Sequence, residues 1–121
     1  MDSCAFSAYP TVFFACSGGS NVGQIANEAC RQLTADGHGE MSCLAGVCAH
    51  VNGIVKFAKA SRVVAVDGCG WNCARKTLEA AKVPVCHHFV LTDWGIERKP
   101  ELLPDKEEIA LTKNRILAIV E

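Results

Sequence analysis

Short apolar runs alternate with helical patterns along this chain of 121 residues. Most of the runs are rich in β-branched and aromatic residues, and they stop at glycine or polar residues, as buried strands do. The predicted strands are Thr11–Cys16, Glu40–Ala45, Arg62–Val66 and Val85–Leu91. The pattern therefore predicts four strands.

Between and after these runs, apolar residues recur at spacings of three and four, which indicates amphipathic helices. The predicted helices begin at Ser20, cover Val51–Ala60 and Asn72–Lys82, and end the chain from Asp105 onward. Gly37 lies just beyond the first helix as a stop signal. Glu107 and Glu108 lie in the first turn of the last helix, where the helix dipole favours anions.

Strands that alternate with helices at this spacing imply right-handed crossovers and a parallel sheet covered on both faces. We predict a three-layer α/β/α sandwich of the Rossmann-like or flavodoxin-like class, with a mainly parallel sheet of about four strands in the order 2-1-3-4. The length suits one domain, 1–121, with 1–10 as a flexible N-terminal tail.

Composition excludes several classes of function. The chain has 12 basic and 13 acidic residues and a net charge of −1, without the basic patch of a nucleic-acid binder. Its N-terminus has no secretory pattern, and no apolar stretch is long enough to span a membrane. We therefore expect a soluble, cytoplasmic protein that binds neither nucleic acid nor a membrane.

Eight cysteines give the chain its most distinctive chemistry. A reducing cytosol favours metal binding, catalysis or simple burial over disulfide formation. Four of the cysteines follow predicted strands or begin the helix after one, namely Cys16, Cys43, Cys69 and Cys73. Because the carboxyl ends of parallel strands meet at one edge, these four thiols are expected to gather there.

Four thiols at one edge suit a zinc ion, which structural sites hold in tetrahedral geometry. The partial positive charge of nearby helix N-termini favours thiolate, the form that zinc binds. Thiolate is also the form that a redox or persulfide-carrying cysteine needs, so a thiol-based sulfur-transfer or redox protein with Cys16 or Cys69 as nucleophile stays open. Asp67 is expected to accept hydrogen bonds that fix the ligands.

The chain resembles the DGC-domain family in four segments, in order CSGGSNVGQIAN, EMSCLAGV, DGCGWNCARKTLE and HHFVLTDWGI. The resemblance covers nearly the whole chain and implies zinc binding through four cysteines. Carried over by segment, these are Cys16, Cys43, Cys69 and Cys73. Many relatives have a further cysteine where this chain has Gly19.

The glycine-rich turn from Cys16 to Gly23 invites comparison with phosphate-binding loops. Gln24 follows Gly23 where a Walker loop needs lysine, and Val22 stands where a cysteine phosphatase needs arginine. Anion binding by the helix N-terminus itself remains an alternative.

The other candidate residues have mostly structural interpretations. Cys4, Cys30 and Cys86 are interpreted as a tail, a helix-core and a strand-core residue, and His87 and His88 as structural. Trp71 and Trp94 flank the expected site, where they either shield it from water or pack. The sequence leaves open the roles of Cys48, His50 and Asp93, any enzymatic activity and any homo-oligomer. The leading hypothesis is a zinc-binding protein with a role in metal handling or as a metal-dependent module.

Overall fold

A computed structural model describes residue 4 and residues 9–121 of the chain. Its strands are β1 (Thr11–Ala15), β2 (Glu40–Met41), β3 (Arg62–Asp67) and β4 (His87–Val90). Its α-helices are α1 (Asn21–Ala35), α2 (Leu44–Cys48), α3 (Asn52–Lys59), α4 (Cys73–Ala80) and α5 (Lys106–Val120), and a 3₁₀ helix covers Leu91–Trp94. Most of the predicted tail, 1–10, lies outside the described residues.

The four strands form one parallel sheet in the order β2-β1-β3-β4, which confirms the predicted fold class and order. Strand β1 pairs with β3 along its whole length, from Thr11 opposite Arg62 to Ala15 opposite Val66. The two central strands are therefore the long ones, and the two short strands form the edges.

Alternation along the strands divides the core into two layers. Phe13, Val64 and Val66 face α1 and α5, with Ile25 and Ile116 among their buried partners. Val12, Phe14, Val63 and Ala65 face the other helices, where they meet Val47 of α2, Ala58 of α3 and Leu78 of α4. The sheet is thus covered on both faces, as the three-layer prediction requires.

Strand β2 is shorter than the predicted Glu40–Ala45. Only Glu40 and Met41 pair with β1, and the amide of Ser42 then donates to the carbonyl of Phe13 at 3.0 Å. Cys43 is the N-cap of α2, a helix that the apolar pattern of EMSCLAGV does not reveal. A β-strand and a short helix give similar apolar runs, which explains the wrong boundary.

Helices α1 and α5 begin where the sequence predicted, at Ser20 and Asp105. The hydroxyl of Ser20 caps α1 by accepting a hydrogen bond from the amide of Gly23 at 3.2 Å. The Asp105 carboxylate caps α5, with its oxygen 2.7 Å from the amide of Glu107 and 3.4 Å from that of Glu108. Among the described residues, no helix is both long and apolar enough to cross a membrane.

Cys4 and Cys86 form a disulfide, contrary to the expectation that the cysteines serve in metal binding, catalysis or simple burial. Cys86 lies one residue before β4, where its amide donates to the carbonyl of Val63 at 2.8 Å. Because the strands are parallel, β1 and β4 begin at the same end of the sheet, and the Cα atoms of the two cysteines are 5.3 Å apart. The separation of 82 residues hides this proximity in the sequence.

Candidate functional site

The four predicted zinc ligands all lie in segments that follow the carboxyl ends of strands. Cys16 directly follows β1, Cys43 comes two residues after β2, and Cys69 comes two residues after β3. Cys73 is the first residue of α4. Parallel strand ends share one edge, so the segments that carry these cysteines all lie at that edge.

Close contact between backbones holds two of these segments together. A Cβ atom on Gly68 would lie only 2.7 Å from the amide nitrogen of Gly23, at the start of α1. A Cβ atom on Gly23 would likewise lie 2.6 Å from the backbone of Gly18. Glycine is therefore required where the loop after β3 packs against the turn after β1.

This contact brings a backbone amide within hydrogen-bonding distance of the Cys16 sulfur. The amide of Gly68 donates to Cys16 Sγ at 3.3 Å. Burial raises the pKa of the Cys16 thiol, and the nearby Asp67 and Cys73 add to that rise, whereas the amides of Gly18 and Gly68 oppose it. The thiol form is favoured overall, against the expectation that helix dipoles favour thiolate here.

Asp67 is buried and connects β3 to the first turn of α4. Its carboxylate oxygens accept hydrogen bonds from the amide of Ala74 at 2.7 Å and that of Arg75 at 3.2 Å. These amides directly follow Cys73, so Asp67 fixes the backbone that presents this cysteine. The hydrogen bonds predicted for Asp67 therefore come from the helix backbone.

His88 also reaches Asp67, although the sequence places it at the far end of β4. Its Nε2 lies 2.8 Å from Asp67 Oδ2, and its side chain is 17% exposed. Strand β4 has only four residues, so its start lies close to the end of β3. The neighbouring His87 stacks against Phe89, and burial together with Arg62 lowers its pKa.

One cavity of about 610 Å³ brings three thiols to a common space, those of Cys16, Cys43 and Cys48. Cys43 and Cys48 are exposed, while Cys16 is half-buried. The sequence analysis left the role of Cys48 open, because the direction of its side chain depends on helix α2, which was not predicted. Recognising a helix that begins at Leu44 would have predicted that Cys48 faces the same space as Cys16 and Cys43.

The other two predicted ligands, Cys69 and Cys73, do not line this cavity. Cys69 is half-buried and packs, like Cys16, against the core on the α1 side, whereas Cys73 is exposed. In the part of the chain that the structure describes, no three cysteine, histidine or acidic side chains are arranged closely enough to hold a metal ion. The thiols therefore share an edge of the sheet without forming a closed ligand set.

The glycine-rich turn satisfies much of its own hydrogen bonding. Ser20 occupies the amide of Gly23, and Gln24 Nε2 donates to the carbonyl of Gly18 at 3.0 Å. Gln24, which stands where a Walker loop has lysine, thus stabilises the turn through a side-chain hydrogen bond.

The other candidate residues lie on the surface or in the core. Trp71 is 67% exposed beneath the guanidinium of Arg98, so it does not shield the site from water. Trp94 packs on Phe89, with ring centroids 5.7 Å apart. His50 is exposed, with a left-handed φ of 59°, and Asp93 is exposed in the 3₁₀ helix.

The sequence model of the DGC domain matches residues 12–116, a range that contains all four cysteines of the predicted site. This chain belongs to the DGC domain family. The DGC domain described here is similar to the "Anaerobic and virulence modulator AnvM" of Pseudomonas aeruginosa strain PAO1, with 37% identity over 87 residues. That match covers 71% of this chain and 66% of AnvM, just under two thirds of the relative. No solved structure matches this DGC domain.

Proposed function

We propose that this DGC domain binds one zinc ion through Cys16, Cys43, Cys69 and Cys73, and that it acts in metal handling or as a metal-dependent module. The observation that carries the proposal is the placement of these thiols after three neighbouring parallel strands and at the start of α4. Thiolate sulfur is a preferred ligand of zinc, and four thiolates complete a structural site.

The surroundings of Cys16 support this assignment. Ligating atoms are commonly held by hydrogen bonds from outer groups, and the amide of Gly68 already donates to Cys16 Sγ. Burial raises the pKa of the Cys16 thiol, so metal binding there would have to displace a proton. Zinc uptake should therefore release protons and weaken as the pH falls.

Closing the ligand set requires movement of the exposed thiols. Cys43 is the N-cap of α2, and its side chain makes no capping hydrogen bond. Cys73 follows Asn72, which also caps without a side-chain hydrogen bond. Both thiols stand at helix starts, and a closed site needs the flanking loops to carry them toward Cys16 and Cys69.

The four thiolate ligands also indicate which role the zinc ion would have. A zinc ion with four thiolates is closed to water and carries excess negative charge, which suits a structural or regulatory role better than Lewis-acid catalysis. The name of the similar AnvM describes a modulator. A regulatory zinc module is consistent with both points.

Metal analysis of protein purified without chelators tests the proposal. We expect close to one zinc per chain in the wild type and in Cys48→Ser, and a loss of most of that zinc in Cys69→Ser. Circular dichroism of each variant separates loss of zinc from loss of fold. A wild-type protein that is folded and free of metal would overturn the proposal.

A thiol-based sulfur-transfer or redox function is the alternative, supported by the opening of three thiols to one cavity. The raised pKa of Cys16 counts against this residue as an activated nucleophile, which leaves Cys69 of the two thiols considered. Such a function predicts that Cys69 reacts much faster with an alkylating reagent at neutral pH than the other thiols. Equal rates at all accessible thiols would exclude it.

A further inference from the structure

A continuous groove runs beside α4 and begins at the cavity that the proposed zinc ligands Cys16 and Cys43 line. It consists of the 610 Å³ thiol cavity and two adjoining cavities of about 340 and 310 Å³. Cys48 and Thr77 border both the first and the middle cavity, and His50, Ala80 and Ala81 border both the middle and the last. We call this feature the α4 groove.

The two ends of the α4 groove differ in chemistry. At one end, thiols stand among apolar side chains such as Met41 and Leu44. At the other end the lining carries Lys76, Lys82 and the imidazole of His50. A ligand that fits both ends therefore has a group that reacts with thiols and a group that is negatively charged.

The basic end is available to an anion. None of the described residues that line the groove is acidic. Within the described chain Lys76 and Lys82 form no ion pair, and the nearby Glu79 pairs with Arg75 at 3.4 Å. The groove thus presents unneutralised positive charge beside a thiol.

The length of the groove limits the size of the ligand. Helix α4 has eight residues, which corresponds to about 12 Å at 1.5 Å per residue. A fully extended tripeptide spans about 10 to 11 Å. One half of a small peptide disulfide with free carboxylates is therefore about as long as the helix beside the groove, and its charge is opposite to that of the basic end.

We propose that the α4 groove binds low-molecular-weight peptide disulfides with carboxylate groups, and that Cys48 exchanges with them. Cys48 is exposed, lies where the thiol cavity meets the middle cavity, and is not one of the proposed zinc ligands. The exchange therefore uses a thiol outside the proposed ligand set, although Cys16 and Cys43 line the same cavity.

The reaction is a thiol–disulfide exchange. The thiolate of Cys48 attacks one sulfur of the bound disulfide, the S–S bond of the ligand breaks, and a new S–S bond joins Cys48 to one half. The other half leaves as a thiolate and takes up the proton that Cys48 released. The Cys48 sulfur is oxidised, and the sulfur of the leaving half is reduced.

Oxidised glutathione is a suitable probe, and 2-hydroxyethyl disulfide is its uncharged control. Peptide mapping by mass spectrometry should find the glutathione adduct chiefly on Cys48, and Cys48→Ser should lose it. In the double variant Lys76→Gln/Lys82→Gln we expect the rate with oxidised glutathione to fall about fivefold, since two favourable surface charges are lost. The rate with 2-hydroxyethyl disulfide should stay unchanged.

Lys106→Gln is the matched control, because Lys106 is an exposed lysine at the start of α5, outside the groove. It should react with both reagents like the wild type. Equal slowing of both reagents by the double variant, or equal adducts on Cys43, Cys48 and Cys73, would overturn the proposal. Zinc content in Cys48→Ser remains a separate measurement, so failure of one proposal is distinguishable from failure of the other.

Discussion

The amide of Gly68 donates a hydrogen bond to the sulfur of Cys16, joining loops that lie 52 residues apart in sequence. The three residues of the tripeptide Asp67-Gly68-Cys69 contact three different parts of the structure. Asp67 fixes the start of α4, Gly68 contacts α1 and Cys16, and Cys69 packs against the same core cluster as Cys16. Each residue of the tripeptide contributes to the same edge of the sheet by a different contact.

Replacing Gly68 should disturb this edge directly. In Gly68→Ala the added Cβ would meet the backbone of Val22 and Gly23 at 2.7 Å, so we expect a loss of about 1 to 3 kcal/mol in the free energy of unfolding. Gly70→Ala is the control, because a Cβ there has no neighbour within 4 Å and should change stability by less than about 0.5 kcal/mol. Urea unfolding measures both. Equal stability of the two variants would contradict the close contact.

The contact between buried Asp67 and half-buried His88 should show energetic coupling. Asp67→Ala leaves the amides of Ala74 and Arg75 without their acceptor, so we expect a loss of about 2 to 4 kcal/mol. In a double-mutant cycle with His88→Ala, the two losses should differ from additivity by about 0.5 to 3 kcal/mol. Additive losses would mean that the 2.8 Å contact contributes nothing to stability.

The exposed pair of His38 and Glu121 provides the comparison for that cycle. His38 Nδ1 lies 2.5 Å from a carboxylate oxygen of Glu121, whose side chain is 54% exposed. Because water screens this pair, its coupling in the same type of cycle should stay below about 1 kcal/mol.

Alkaline pH should weaken the fold through Cys30. Burial raises the pKa of this thiol from 9.0 to about 12, with a smaller contribution from Cys16. The folded state therefore holds the proton more tightly than the unfolded state, and the stabilisation is complete below pH 9.0 and is lost as the pH rises toward 12. Unfolding by urea at increasing pH should show this fall.

Cys30→Ala is the test of that assignment. The variant should have a flatter dependence of stability on pH above 9.0, although Cys16 contributes a further loss in the same direction. An unchanged pH dependence would assign the effect to other groups. The native wild type should also leave Cys30 unmodified by alkylating reagents, since the residue is fully buried.

Reduction of the disulfide should lower stability substantially. Closing a ring between residues 82 positions apart restricts the unfolded chain, by about 4 to 5 kcal/mol on the chain-entropy estimate. Dithiothreitol should therefore lower the thermal midpoint of the wild type, and Cys86→Ser should have a low midpoint that does not respond to the reductant. Cys48→Ser should respond like the wild type. A wild-type midpoint that is unchanged by dithiothreitol would contradict the pairing.

Local patterns predicted much of the fold. The apolar run before Asp67 predicted β3, and the alternation of strands with helices predicted the parallel sheet and its order. The carboxyl end of β2 could not be predicted, because the start of α2 at Leu44 depends on where pairing with β1 stops.

Contacts that are distant in sequence limited the prediction of the site. The four cysteines were placed at one edge because strand ends indicate direction, but no local pattern shows that His88 reaches Asp67. The direction of Cys48 and the pairing of Cys4 with Cys86 likewise depend on tertiary packing.

The disulfide between Cys4 and Cys86 closes most of the chain into a covalent ring, called here the covalent circle. Three of the four strands and all six unpaired cysteines lie within this circle, whereas β4 and α5 extend beyond it. A protease that cuts any one loop of the circle would yield pieces that remain joined and separate on a denaturing gel only after reduction. The cysteine-bearing loops could thus be nicked without release of any part of the chain.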